Sequence, residues 1–467
     1  GGVLSRLIGP GNAAAASRPS IPAALAERPN LLLVMVDTLR ADYLSCYGAP
    51  VATPKLCSLA DGRGTRYQAF SHASWTKPAT ASLLTSLVPS SHGAMSKPAV
   101  LPEGVETVAE VLQERGYTTG GIVSNINLAE SFGFDQGFDE YHYLGPDYLF
   151  GAEESSSKLI LYQIGRSVFF KFRKGLRFGD FYQDSAVVNE LAFDWLERHR
   201  DSRFFLFLHY MDPHDPYFAH PYDGQGIARV SNQHPDPELA AQMRELYQGE
   251  IGYLDANFGE LLDRLESLGL SEDTLIVLTA DHGEEFQDHG GWWHGLTLYD
   301  EQVRVPLLVR WPAGWKAEPD ATDYLVRSID VAPTLVVAAG AALPAGMQGV
   351  DLRRGKGGRS ETDGMAFLEE DHEGNVLRGI RTLEWKLIEA NPGNPRGLSS
   401  LELYAVGSDP DESDNLVEAQ PAVARELGAH AQAQEQLAER NRAEGSGEAA
   451  QISAAEEEAL RALGYVE

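Results

Sequence analysis

Cysteine is nearly absent. Cys46 and Cys57 are the only two in 467 residues, which excludes a disulfide-built scaffold and a cysteine-based zinc site. The two lie close enough in sequence to pair, and two separate thiols fit the residues at least as well. No apolar run reaches the length of a transmembrane helix. Positive charge is scarce: 38 Lys and Arg stand against 68 Asp and Glu, a net charge of −30. Such a surface repels nucleic acid and anionic membrane, so no nucleic-acid partner is expected. A small anionic substrate would need a local positive field, and a metal ion is its simplest source. What is present in quantity is apolar surface, 43% of the residues, which suits a folded core and excludes general disorder.

The chain divides by texture. Residues 1–29 are rich in Ala, Gly, Pro and Ser and read as a linker or tether. The chain does not open on methionine, so a trimmed upstream segment is expected. From 30 to about 360, apolar strand-like runs alternate with helical stretches, with a helical insertion over 140–195. "NLLLVMVDTL", "RFFLFLHYMD" and "DTLIVLTADHG" are continuous apolar runs. That alternation predicts an α/β fold, a mostly parallel central sheet sandwiched by helices. Over 361–420 the runs shorten and alternate with polar residues, which predicts a small antiparallel sheet. Residues 421–467 are Ala- and Glu-rich and read as a helical tail.

Polar residues punctuate the strand ends. Asp37, Asn125, Asp212 and Asp281 each follow an apolar run. Ligands of open α/β sheets bind beyond the carboxyl ends of the strands, so these groups are expected to converge. Each alone would read as a cap or turn residue. Asp37, Asp281 and the adjacent His282 suit one divalent cation, with Thr76 supplying a loop oxygen. Oxygen-rich ligation admits Ca, Mg or Mn, and the histidine leaves Zn open. Thr76 stands two residues before Pro78 in "SWTKPATASLLTSLVPSSHG", which places it at a helix N-terminus, where an anion is favoured. Alone it would be an ordinary cap; beside a cation its hydroxyl becomes a nucleophile. His214 in "MDPHDPY" and His294 in "GGWWHGLTLYDE" could protonate a leaving oxygen. His92, His209 and His289 are expected to be structural. Arg166 to Tyr182, "RSVFFKFRKGLRFGDFY", is basic and aromatic and reads as a solvated helical insertion, or as a lid or lipid contact.

Taken in order, "PNLLLVMVDTLRADYLSCYG", "TKPATASLLTSLVPSSHG", "FLHYMDPHDPY", "ADHGEEFQDHG" and "HGLTLYDEQVRVPLLVRWP" resemble the motifs of the sulfatase branch of the alkaline-phosphatase superfamily. "SIDVAPTLVVAAG", "RTLEWKLI" and "LELYAVGSDPDESDNL" resemble its later landmarks. The resemblance implies an alkaline-phosphatase-like fold and an ester hydrolase outside the cytoplasm, whether periplasmic, secreted or membrane-tethered. The departures bear on chemistry. Where the family has Cys or Ser, oxidised to formylglycine, this chain has Thr76; the motif arginine becomes Thr80. The second acid of an Asp-Asp pair is Thr38, the sulfate-gripping segment is replaced around Asn125, and a lysine after His-Gly is Leu296.

A formylglycine hydrate can expel sulfate by collapse of the diol; a threonine sulfate has no such route. A threonine phosphate can be resolved by in-line attack of water. The expectation is therefore a metal-dependent hydrolase of phosphate mono- or diesters through a covalent Thr76 intermediate. Lys77 and Asn125 would hold nonbridging oxygens, and His214 or His294 would assist the leaving group. The alternatives are a sulfatase working without formylglycine, a head-group transferase at the cell surface, and a weakly catalytic scaffold binding an anion or glycan. The expected partner is a small anionic ester, such as a glycan or a lipid head group.

Overall fold

A long apolar strand with no polar face must be covered on both sides, and three such strands form the centre of the protein. In a computed structural model, residues 21–145, 182–222, 226–229, 232–316, 320–452, 456, 457 and 460 are described. The main sheet has eight strands: β1 (Asn30–Val36), β2 (Gly64–Phe70), β3 (Thr118–Val123), β4 (Glu140–Tyr143), β5 (Phe204–Tyr210), β6 (Thr274–Ala280), β7 (Arg304–Arg310) and β8 (Asp320–Arg327). Their order is β8-β2-β7-β6-β1-β5-β3-β4. β1, β5 and β6 are buried at every position and lie side by side. β1 runs parallel to both neighbours, with Met35 opposite His209 and Val36 opposite Ala280. Only β7 is reversed, pairing antiparallel with β2 and β6. The carboxyl ends of β6, β1, β5 and β3 therefore share one edge.

The helices fall into two groups. α1 (Thr76–Thr85), α2 (Val108–Arg115) and α5 (Val331–Ala338) pack together; α3 (Ser185–His199) and α4 (Ala240–Ser267) form the other pair. α2 starts on a capping box between Thr107 and Glu110 and stops at Gly116, whose φ of 100° suits a residue without Cβ. α3 presses Trp195 so close to β3 that a Cβ on Gly120 would lie 2.6 Å from the indole. Among the described residues no helix is long and apolar enough to cross a membrane.

A second sheet follows: β9 (Ala366–His372), β10 (Asn375–Arg381), β11 (Lys386–Ala390) and β12 (Leu401–Tyr404), an antiparallel meander in sequence order. α6 (Pro421–Arg440) lies against β10 and β11. The expected helical tail is shorter than its composition suggests. α6 ends at Arg440, and residues 441–452 form turns and a bridge between Ala99 and Ala449. Gly445 and Gly447 in left-handed conformation interrupt the Ala/Glu pattern there. Cys46 and Cys57 are joined in a disulfide. The basic stretch from Arg166 lies outside the described residues up to its last member, Tyr182.

Candidate active site

Four adjacent strands each deliver one polar group to the shared edge. Asp281 follows β6, Asp37 follows β1, His209 is the penultimate residue of β5, and Asn125 lies two residues beyond β3. All four are buried. Asn125 Nδ2 donates to Asp37 Oδ2 at 2.8 Å, and His209 Nε2 lies 3.2 Å from the same oxygen. Asp281 Oδ1 accepts from the backbone N–H of His282 at 2.8 Å and of Thr38 at 3.2 Å. Those two bonds fix the carboxylate and leave Oδ2 facing the cluster. Thr38 reaches Asp281 only by adopting a left-handed φ of 56°, a costly conformation for a β-branched residue. Tyr247 holds it there, its hydroxyl donating to Thr38 O at 2.7 Å and accepting from Arg40 N at 2.9 Å.

Thr76 approaches from α1, where it is the first helical residue. Trp75 is the N-cap, and it makes no side-chain cap bond. The Thr76 hydroxyl points instead to the cluster, 3.4 Å from His282 Nε2 and 3.4 Å from Asn125 Nδ2. His282 Nδ1 lies 2.9 Å from Gly283 O. That carbonyl can only accept, so Nδ1 carries the proton and Nε2 offers a lone pair. The same Nε2 is 3.4 Å from Asp281 Oδ2 and 3.6 Å from Asp37 Oδ1. Burial pushes the His282 imidazolium down. Burial and the neighbouring Asp37 push Asp281 up. Burial would also raise Asp37, but the facing His214 and His209 hold it below the usual carboxylate range.

These residues fit a cation. One ligand atom each from Asp37, His209 and Asp281 lies within 4.8 Å of the others. Asp37 Oδ1 and Asp281 Oδ2 are buried without a hydrogen-bond partner, a state that buried polar atoms avoid unless something else satisfies them. Two carboxylates and an imidazole, with the Thr76 hydroxyl beside them, form a mixed oxygen–nitrogen donor set for a divalent ion.

Two further histidines complete the wall. His294 lies 4.5 Å from His282 and 5.1 Å from His214, ring to ring. His294 Nδ1 meets Glu284 at 3.1 and 3.2 Å, and Glu284 also accepts from the Tyr217 hydroxyl at 2.6 Å. His294 Nε2 is buried without a partner. His214 Nδ1 is 2.6 Å from Asp215 O. Burial pulls the His214 pKa down to about 4, against the pull of Asp37.

Three expectations need correction. Lys77 does not face the cluster: its amine donates to the backbone carbonyls of Lys97 and, at 3.1 Å, Ala99, and lies over the Phe132 ring. Position two of a helix points away from position one, and burial drives its pKa well down. Asp212 does not converge either; its Oδ2 accepts from Ser185 N at 2.7 Å, at the start of α3. His209, expected to be structural, lies in the cluster at the place expected of Asp212. No strand-end signal marked His209, because it lies inside its apolar run. Glu284 and Tyr217 were also missed, although each stands within three residues of a chosen histidine. His92 is structural in the expected sense, bonded to Ser82 Oγ and Ala94 N.

Comparison with known proteins adds an independent line. The sulfatase family profile matches residues 29–341, and the profile of the C-terminal part of N-sulphoglucosamine sulphohydrolase matches 288–441. Human arylsulfatase A is 31% identical over 373 residues, covering 70% of this chain and 68% of its own. An N-acetylgalactosamine-6-O-sulfatase of Bacteroides thetaiotaomicron is 24% identical over 499 residues, covering 86% and 92%. The phosphonate monoester hydrolase of Agrobacterium radiobacter superposes with a TM-score of 0.66 at 21% identity, covering 88% of this chain and 96% of that one. The last is a likeness of fold.

Proposed function

Because the chain belongs to the sulfatase family, we propose that it hydrolyses sulfate esters at Thr76 without formylglycine. The observation that carries this is the Thr76 hydroxyl, 3.4 Å from the His282 lone pair beside Asp37 and Asp281. Relatives named for sulfate esters of aryl compounds and of amino sugars support sulfate as the transferred group. A glycan or another alcohol then forms the leaving side.

The residues divide the work. Asn125 bridges Asp37 and Thr76 and orients both. Thr76 Oγ attacks sulfur and loses its proton to His282 Nε2. The bond from sulfur to the ester oxygen breaks, and that oxygen takes the electron pair and a proton. His294, ring to ring with His282 and with an unpartnered Nε2, is placed to deliver the proton. The cluster must lend it that proton, because burial and the neighbouring His282 hold its pKa well below the usual imidazole range. Water then attacks sulfur, freeing Thr76 and restoring the protons: ester and water in, alcohol and hydrogen sulfate out. A divalent ion held by Asp37, His209 and Asp281, with His282 and Thr76 at its edge, would supply Lewis acidity toward the transferred oxygens.

A second reading, phosphate or phosphonate esters, is favoured by Thr76 itself. Threonine offers no diol collapse, whereas its phosphate ester is open to in-line attack. Hydrolysis rates on p-nitrophenyl sulfate, p-nitrophenyl phosphate and a phenylphosphonate monoester decide between them. Sulfate turnover exceeding both others is expected; the reverse order installs the second reading, and a rate that rises only with added alcohol indicates transfer. Thr76→Ala should abolish turnover with fold and metal content intact. We place the protein in an oxidising, extracytoplasmic compartment, as the Cys46–Cys57 disulfide suggests.

A further inference from the structure

His372 belongs to the small C-terminal sheet, yet it ends beside the reaction centre. It is the last residue of β9. Its ring lies 4.7 Å from that of Trp75, the residue before Thr76. It also crowds Gly295, the residue after His294: a Cβ there would stand 2.9 Å from His372 Nδ1. The residue is 3% exposed, and neither ring nitrogen has a hydrogen-bond partner. A buried imidazole with two idle polar atoms is costly, and packing needs alone would be met by an apolar side chain.

The strand that carries His372 is tied to the nucleophile loop along its length. Glu369 N donates to His72 O at 2.9 Å, and Ser74 donates to Glu370 from its backbone N–H, at 3.2 Å, and from its hydroxyl. Beyond His372 the chain turns through Glu373, whose φ is 51°. That turn sets the Glu373 carboxylate between two cations, Lys97 at 3.0 Å and Arg229 at 3.3 Å. The two cations share this one carboxylate, a concentration of positive groups in a chain of net charge −30. Arg229 and Trp293 also approach, 6.0 Å from guanidinium to ring, which brings the triad next to the loop of His294.

We propose that His372 is the floor of a leaving-group subsite, rimmed by Lys97, Arg229 and Glu373, which selects esters whose alcohol bears hydroxyls and a second anionic group. His372 hydrogen-bonds a hydroxyl of the alcohol; the rim attracts the added anion. This rests on Thr76 being the reacting centre, as proposed above.

The test compares substrates. N-acetylgalactosamine 4,6-disulfate and 6-sulfate carry hydroxyls, and the first carries a second anion; p-nitrophenyl sulfate has neither. His372→Ala should cost the sugar esters about tenfold more in kcat/KM than the p-nitrophenyl ester, through KM, as one hydrogen bond lost in a dry site predicts. His372→Gln should recover part of it. Arg229→Met should remove most of the preference for the disulfate. Equal losses on all substrates, or none, would leave His372 as packing for Trp75 and overturn the proposal. Calorimetry on Thr76→Ala separates the two readings. If the wild type turns over no ester but Thr76→Ala binds the disulfate about tenfold tighter than Thr76→Ala/His372→Ala, the subsite stands and the hydrolase reading falls. Equal binding, or none, sinks the subsite.

Discussion

Among the described residues, two places gather one histidine and two carboxylates, and they are built on opposite principles. Asp37, His209 and Asp281 are all fully buried, and among the described residues no lysine or arginine pairs with either acid. His289, Glu301 and Glu412 form the second group. There Glu412 meets Lys386 at 2.7 Å, and His289 is bonded to Glu301 at 2.7 Å. Lys386 and Arg381 also hold Asp300 next door, at 2.5 and 2.8 Å. The charges of the second group are neutralised by side chains. The first has idle oxygens and only histidines, no lysine or arginine, to set against its acids, which suits it to a cation from outside the chain. Donor type and count are the same in both; the supply of positive charge separates a binding site from a structural knot.

Removing a donor from each group should break them differently. Asp37→Ala takes away a ligand and the partner of Asn125. Turnover should fall between about a hundredfold and a thousandfold, and metal content by elemental analysis should drop with it. Glu412→Gln should leave metal content at the wild-type value. Equal metal loss in both variants would mean that the two groups do not differ in metal binding.

The second group should fail through stability instead. Lys386 is fully buried and serves Asp300 and Glu412 together. Lys386→Met leaves those acids one cation short inside the protein, at a cost of about 3–5 kcal/mol. Chemical denaturation measures it, and metal content should not move. A loss near zero would mean that Arg381 alone suffices.

Much of this was legible in the residues because strand ends are legible. Apolar runs with no polar face mark the central strands, and an Asp or Asn just past such a run lands on the ligand edge. Asp37, Asn125 and Asp281 were found that way. His209 was not, because it lies inside its run; placing it requires knowing which face of β5 meets Asp37, and that depends on register with β1. Lys77 was misplaced for the converse reason. Its charge suggested an anion partner, but one helical step rotates it about 100° from Thr76, into carbonyls it then serves. The Lys386 knot joins segments some hundred residues apart that carry no shared motif, so only the packed C-terminal sheet reveals it. His372 was invisible on the same ground.

Proton concentration should act on the two groups with opposite sign. Metal binding at Asp37, His209 and Asp281 needs the deprotonated forms, so affinity should rise with pH. In the second group, burial pulls His289 down, but its bond to Glu301 outweighs that and raises its pKa from 6.5 to about 9. The folded state then binds this proton more tightly than the unfolded chain does. Its contribution is complete below about pH 6.5 and disappears as pH passes 9. Glu412, lifted by burial from 4.5 to about 7 despite Lys386, loses its contribution in the same direction but earlier. His289 is 15% exposed at its side chain, so solvent screening trims its share to about 1 kcal/mol. Chelator-treated protein should therefore unfold at lower denaturant at pH 9 than at pH 6.5, and His289→Gln should flatten part of that slope. A slope unchanged in His289→Gln would show that the Glu301 pair is worth nothing to the fold. The metal-loaded protein should show a shallower fall, since tighter binding at high pH offsets what the second group gives up.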